Sequence, residues 1–127
     1  MSVSDVIDRI AVLQIKSRFL PAAGDAIAQE IRELNTEEIR LIRCRNDVFV
    51  LECELIALHE QAWQSNEVIY KSLYKDCDEA ERDEVFHAIQ RSARLNVKRV
   101  ELKNEIERVL GTGVREEKSF NQEAAHG

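Results

Sequence analysis

The chain has 127 residues, 44% of them hydrophobic and 33% charged, with a formal net charge of -6. That is a single-domain length with enough apolar material for a core, so wholesale disorder is excluded. With 4 Gly and 1 Pro, turn formers are too few for a many-stranded sandwich or barrel, and the acidic balance disfavours general binding to nucleic acid or an anionic membrane.

The first predicted element is a helix from Val3 to Phe19. Ser2 and Asp5 have capping-box spacing, the hydroxyl accepting from a backbone N–H that the helix leaves unpaired. Val3, Val6, Ile7, Ile10, Val12, Leu13, Ile15 and Phe19 give a broad apolar face. Pro21 ends the helix, because the residue before a proline avoids helical dihedrals.

From Ala22 to Lys75 there is one Gly and no Pro. Leu34, Leu41, Val48, Leu55, Ala62 and Ile69 repeat every seven residues, with Cys44, Leu51 and Leu58 at the complementary position. This pattern predicts a coiled-coil-like seam. Two places can interrupt it. Asn35-Thr36-Glu37-Glu38 reads as a helix start, and Asn46-Asp47 as a turn-prone pair. The favoured expectation is a short helix to Leu34 and one long helix from Thr36.

Lys75-Asp76-Cys77-Asp78 is the clearest turn. Asp78 and Glu81 form a second capping box, and the acids around them suit the positive end of the next helix. That helix is predicted from Glu79 to Leu110. It carries two apolar stripes, Ala88/Leu95/Leu102/Val109 and Phe86/Ile89/Ala93/Val97/Val100, and two stripes imply two packed neighbours. Gly111-Thr112-Gly113 stops it. The organisation expected is a helical bundle over residues 1–110 and a polar, mobile tail over 111–127.

Targeting signals are not evident. Met1-Ser2-Val3-Ser4-Asp5 has no basic segment followed by an apolar run, and no apolar run is long enough to span a bilayer. Cys44, Cys53 and Cys77 form no CxxC, which fits buried thiols in a reducing cytoplasm better than a disulfide frame.

Three patches carry a resemblance. They are Val6-Ile7-Asp8-Arg9-Ile10-Ala11-Val12-Leu13-Gln14-Ile15-Lys16, then His59-Glu60-Gln61-Ala62-Trp63 with Glu67, then Asn96-Val97-Lys98-Arg99-Val100-Glu101-Leu102-Lys103-Asn104-Glu105-Ile106. In order and spacing they resemble a family of small bacterial helical proteins catalogued as a domain of unknown function. The chain departs from that pattern at Ser65-Asn66, Tyr70 and Val97. The family has no established activity, so the resemblance implies a helical bundle and marks Asp8, Lys16, Trp63, Glu67, Asn96, Arg99 and Lys103 as pattern positions, with no reaction attached.

Four constellations bear on function. Asp8, Lys16, Glu67, Asn96, Arg99 and Lys103 could line a pocket for a small anionic ligand, since guanidinium and ammonium groups match phosphate and carboxylate; the competing reading is that they pair with each other. His59, Trp63, Glu67, Tyr70 and Tyr74 share a helix face by steps of three and four, and aromatics with polar tips suit an interface. Glu84-Val85-Phe86-His87 is half of a carboxylate di-metal site whose second half is missing, His126 being in the tail, so no metal is expected. Arg91, Arg94, Lys98, Arg99 and Lys103 form a basic run without interleaved aromatics, which reads as a solvated face rather than a nucleic-acid surface. No phosphate loop, nucleophile elbow or cofactor motif is present.

The expected protein is therefore all-α, an antiparallel bundle of about four helices with long coiled-coil-like members. Its expected role is non-enzymatic assembly, by homo-oligomerisation or with a helical partner, without cofactor. The alternative is a binder or enzyme for a phosphorylated metabolite that uses the polar set.

Overall fold

A computed structural model describes residues 1–112. They form five α-helices and no strand: α1 Val3–Phe19, α2 Gly24–Leu34, α3 Glu37–Arg43, α4 Asn46–Lys71 and α5 Glu79–Leu110, with 3₁₀ turns at Pro21–Ala23 and Ser72–Tyr74. The tail beyond Thr112, with Gly113 and His126, lies outside the described residues.

Local chemistry sets the boundaries. At the start of α1 the Ser2 hydroxyl accepts from Asp5 N, and the Asp5 carboxylate accepts from Ser2 N. Asp78 and Glu81 repeat the arrangement at α5. Pro21 opens the turn after α1. Gly111 closes α5 at φ 72°, a left-handed position that other residues adopt only with strain.

Both interruptions of the middle segment occur, so the single long helix from Thr36 does not form. Thr36 Oγ1 accepts from Ile39 N and starts α3; a turn at Cys44-Arg45 then ends it after seven residues. The seven-residue register consequently fails as a continuous seam. Leu41 is 57% exposed, while Val48 and Leu55 are fully buried. The pattern holds within α4, where the helix keeps its phase, and loses meaning across a break that reorients the chain.

α4 and α5 form an antiparallel pair: Arg91 reaches Ser65 near the turn, and Arg45 reaches the Val109 carbonyl at the open end. α1 lies on this hairpin and contacts both helices, α2 folds back along α1, and α3 bridges α1 and α4. The core gathers Ile7 and Ala11 from α1, Val48, Leu55 and Leu58 from α4, and Leu102 and Ile106 from α5. Burial of each such Val, Leu or Ile side chain contributes about 1.5–3 kcal/mol. α1 is buried on two sides, holding Ile10, Leu13 and Ile15 inside as well, which explains why its apolar residues run almost around the helix.

Two expectations need correcting. The thiols are not buried: Cys44 and Cys53 are exposed, and Cys77 is half-buried. The second stripe of α5 lacks its neighbour among the described residues: Phe86, Ile89, Ala93 and Val97 are exposed, and Val100 alone is buried. No helix among the described residues is long and apolar enough to cross a membrane.

Candidate functional site

A line of charged contacts runs under α1. Ser4, Asp5 and Asp8 share the face that α1 turns toward α5, and Arg99, Lys103 and Glu107, four residues apart, share a face of α5. Antiparallel packing brings them into register. Ser4 N donates to Glu107 Oε1 at 3.1 Å, Lys103 Nζ lies 2.8 Å from Asp5 Oδ1, and Arg99 donates from Nε and Nη2 to Asp8 Oδ2 at 2.9 and 2.6 Å. From α4, His59 Nε2 reaches Asp8 Oδ1 at 2.7 Å. One carboxylate thus ties three helices.

The electrostatics follow. Burial alone would push the Asp8 carboxyl up, but hydrogen bonds from His59 and Arg99, with their charges, outweigh it and hold the group below its ordinary value. The hydrogen bond from Lys103 holds Asp5 at about 2, against burial that works the other way. Burial raises Glu107, and the Thr112 hydroxyl and the Ser4 amide overcome it. The Lys103 side chain is 5% exposed and the Asp8 side chain 4%. Buried charges of this kind persist only when paired and hydrogen-bonded. The chemistry of the line is that of a clamp, with cations aimed at carboxylates of the same chain.

The sequence-predicted polar set is thus divided. Asp8, Arg99 and Lys103 meet in the clamp. Lys16 sits half-buried on the α2 side; there a hydrogen bond from Arg9, with added charge from Lys16, lowers the Glu30 carboxyl. Glu67 and Asn96 are on the surface, Glu67 within 3.9 Å of Lys71. The six do not surround one site. A further buried pair has no counterpart in the sequence reading: Arg43 donates from Nε and Nη2 to Glu52, both at 2.8 Å, and from Nη1 to Asn35 at 2.9 Å. Nine residues of separation is not a helical spacing, so the pair becomes legible only once the turn between α3 and α4 is known.

The aromatic stripe of α4 has two fates. Its near half meets α1: His59 binds Asp8, Glu60 takes Arg18 at 3.2 Å, and Trp63 stacks on Phe19 with ring centroids 5.1 Å apart. His59 accordingly faces inward, with its side chain 12% exposed. α1 ends there. Tyr70 and Tyr74 continue the stripe into solvent at 61% and 87% exposure, beside Leu73. Between them runs an open groove of about 320 Å³ lined by Trp63, Asn66, Glu67, Tyr70 and Lys71 of α4 and by Tyr74 of the 3₁₀ turn that follows. A smaller recess of about 180 Å³ lies at the hairpin turn, between Val68, Lys75, Cys77 and Val85.

Beyond Trp63, to the turn and back to Arg91, the hairpin extends past the end of α1 as an arm. Its outer α5 side carries Phe86 and Ile89, and the stripe continues through Ala93 to Val97. Of the basic run, Arg91 donates to Ser65 Oγ at 2.9 Å, Arg99 and Lys103 belong to the clamp, and Arg94 and Lys98 are exposed. No protein-family model, curated protein or solved structure matches the chain.

Proposed function

We propose that this chain is a non-enzymatic helical assembly protein that self-associates through the arm of the α4–α5 hairpin. In this reading α1 closes the near half of the hairpin into an antiparallel bundle, and the far half meets another chain. The observation that carries the proposal is the pairing of two open apolar faces on one two-helix arm: Tyr70 on α4 with Leu73 and Tyr74 on the 3₁₀ turn that follows it, and Phe86 and Ile89 on α5, all more than half exposed. Contiguous exposed apolar surface on a small protein marks a contact site. The resemblance to the small helical family supports a bundle, and three unpaired thiols suit a reducing cytoplasm.

The alternative, a pocket for an anionic metabolite at Arg99 and Lys103, is weaker because Asp8 and Asp5 already engage those cations. Sedimentation equilibrium across the micromolar range tests the proposal. A mass that rises with concentration is expected; a single-chain mass throughout would sink it. Thermal-shift measurements with inorganic phosphate and nucleotides should show no stabilisation, and a concentration-dependent rise would favour the ligand reading instead.

A further inference from the structure

The outer face of α5 carries more than an apolar stripe. Its charge is segregated along the helix. Glu79, Glu81, Asp83 and Glu84 crowd the first turns with one base, Arg82, among them; no acidic residue follows until Glu101, and Arg94 and Lys98 occupy exposed positions in between, Lys98 within 3.9 Å of Glu101. Asp83, Arg94 and Lys98 lie along one flank of the stripe, within about 60° of one another around the axis at 100° per residue. Bulk is segregated too: Phe86 stands toward one end of the stripe, and Ala93 is the small residue one heptad later.

From this polarity we infer that α5 packs antiparallel against α5 of a second copy of the chain, with Asp83 of each copy beside Arg94 and Lys98 of the other. The inference rests on the self-association reading and specifies its face, orientation and register. A two-fold axis beside Ile89 sets that residue against its own copy and lays Phe86 over Ala93 of the second copy, large against small. In an antiparallel helix pair the same flanks meet, so one register satisfies the stripe and the charges together. Parallel pairing would set Phe86 on Phe86 and turn the charged flanks to opposite sides of the pair, where Asp83 meets neither Arg94 nor Lys98, which opposes it. The α4 groove carries no such polarity, because its lining has one acid and one base, Glu67 and Lys71, a single turn apart.

The test is a charge exchange read by sedimentation equilibrium on the full chain. Asp83→Arg is one variant and Arg94→Glu with Lys98→Glu the other; all three positions are exposed, and circular dichroism checks that α5 still forms. Each variant alone should dissociate with a Kd raised about tenfold or more, the consequence of facing like charges. An equimolar mixture should recover association, because both contacts of the mixed pair are then of opposite sign. If each variant associates as tightly as the unmodified chain, or the mixture stays dissociated, the α5 pairing is wrong. If those variants leave association intact while Tyr70→Asp with Tyr74→Asp abolishes it, the pairing is wrong and self-association survives on the α4 face. A single-chain mass for the unmodified protein would overturn both.

Discussion

The half of the α4–α5 hairpin beneath α1 and the half beyond it begin from similar sequence and end with opposite surfaces. In both, apolar and aromatic residues recur at three- and four-residue steps. Near the core α1 meets them: Val48, Leu55 and Leu58 are sealed, His59 is bound by Asp8, and Trp63 is stacked on Phe19. Beyond Phe19 no further helix is laid on the hairpin among the described residues, and Tyr70, Tyr74, Phe86 and Ile89 face solvent. Amphipathic patterning states that a face wants a partner and leaves open which chain supplies it. The length of α1, about 25 Å for its 17 residues, decides how much of the stripe is satisfied internally.

That contrast can be broken first in the core. Leu55→Ala should lower the unfolding free energy by about 3–4 kcal/mol, the range for a fully buried leucine whose cavity cannot collapse; urea denaturation monitored by circular dichroism measures it. Removing the carboxylate that joins three helices comes next. Asp8→Ala leaves Arg99 and His59 facing a space without an anion and should cost about 3 kcal/mol in the same assay. A loss under about 1 kcal/mol would mean that the clamp contributes little beyond specificity.

Acid sharpens the comparison without mutation. The Asp5 carboxyl is at about 2 in the folded chain against an ordinary 3.8. Its folded pKa is depressed, so its contribution is fully present above pH 3.8 and is lost as the pH falls through 2. Asp8 and Glu107 are lowered too and act in the same direction. Thermal melts should therefore shift down across that window, and Asp5→Asn should flatten the lower part of the curve. Gly111→Ala, placed at φ 72°, should cost about 1 kcal/mol. At the small end, Phe86→Ser should change the stability of the isolated monomer by no more than about 0.5 kcal/mol while weakening association. A large monomer effect would show that the outer stripe of α5 has an internal partner after all.

Much of the framework was legible in the sequence because it depends on local chemistry. Ser2 with Asp5, Pro21, Asp78 with Glu81, and Gly111 each act within one turn, so the limits of α1 and α5 follow from their neighbours. The heptad register misled for the opposite reason. Periodicity is conserved across a turn in the residue count and destroyed in space, which is how Leu41 came to be exposed and why α3 and α4 separate at Cys44-Arg45. Of the polar set, Asp8, Arg99 and Lys103 do converge, whereas Asn96, one turn from Arg99 on α5, and Glu67 on α4 lie on the surface. His59 looked like the first residue of an outward stripe because spacing reports the helix face alone; that α1 covers this part of the face is a tertiary fact. The Arg43–Glu52 pair was invisible for a related reason, since it exists only across the bend.

Asp8 also says something about the order in which the molecule can come together. Its partners His59 and Arg99 lie 51 and 91 residues further along the chain. The α4–α5 hairpin can close from contacts made across one turn, whereas the Asp8 side of α1 has no seat until that hairpin exists, and long-range closure of this kind is slow. α1 therefore precedes in the chain the hairpin on which its Asp8 closes. Until that hairpin forms, Ile7, Ile10, Leu13 and Ile15 have no cover from it, so the helix that becomes the most enclosed in the folded protein is also the segment that the emerging chain must keep from sticking to other molecules.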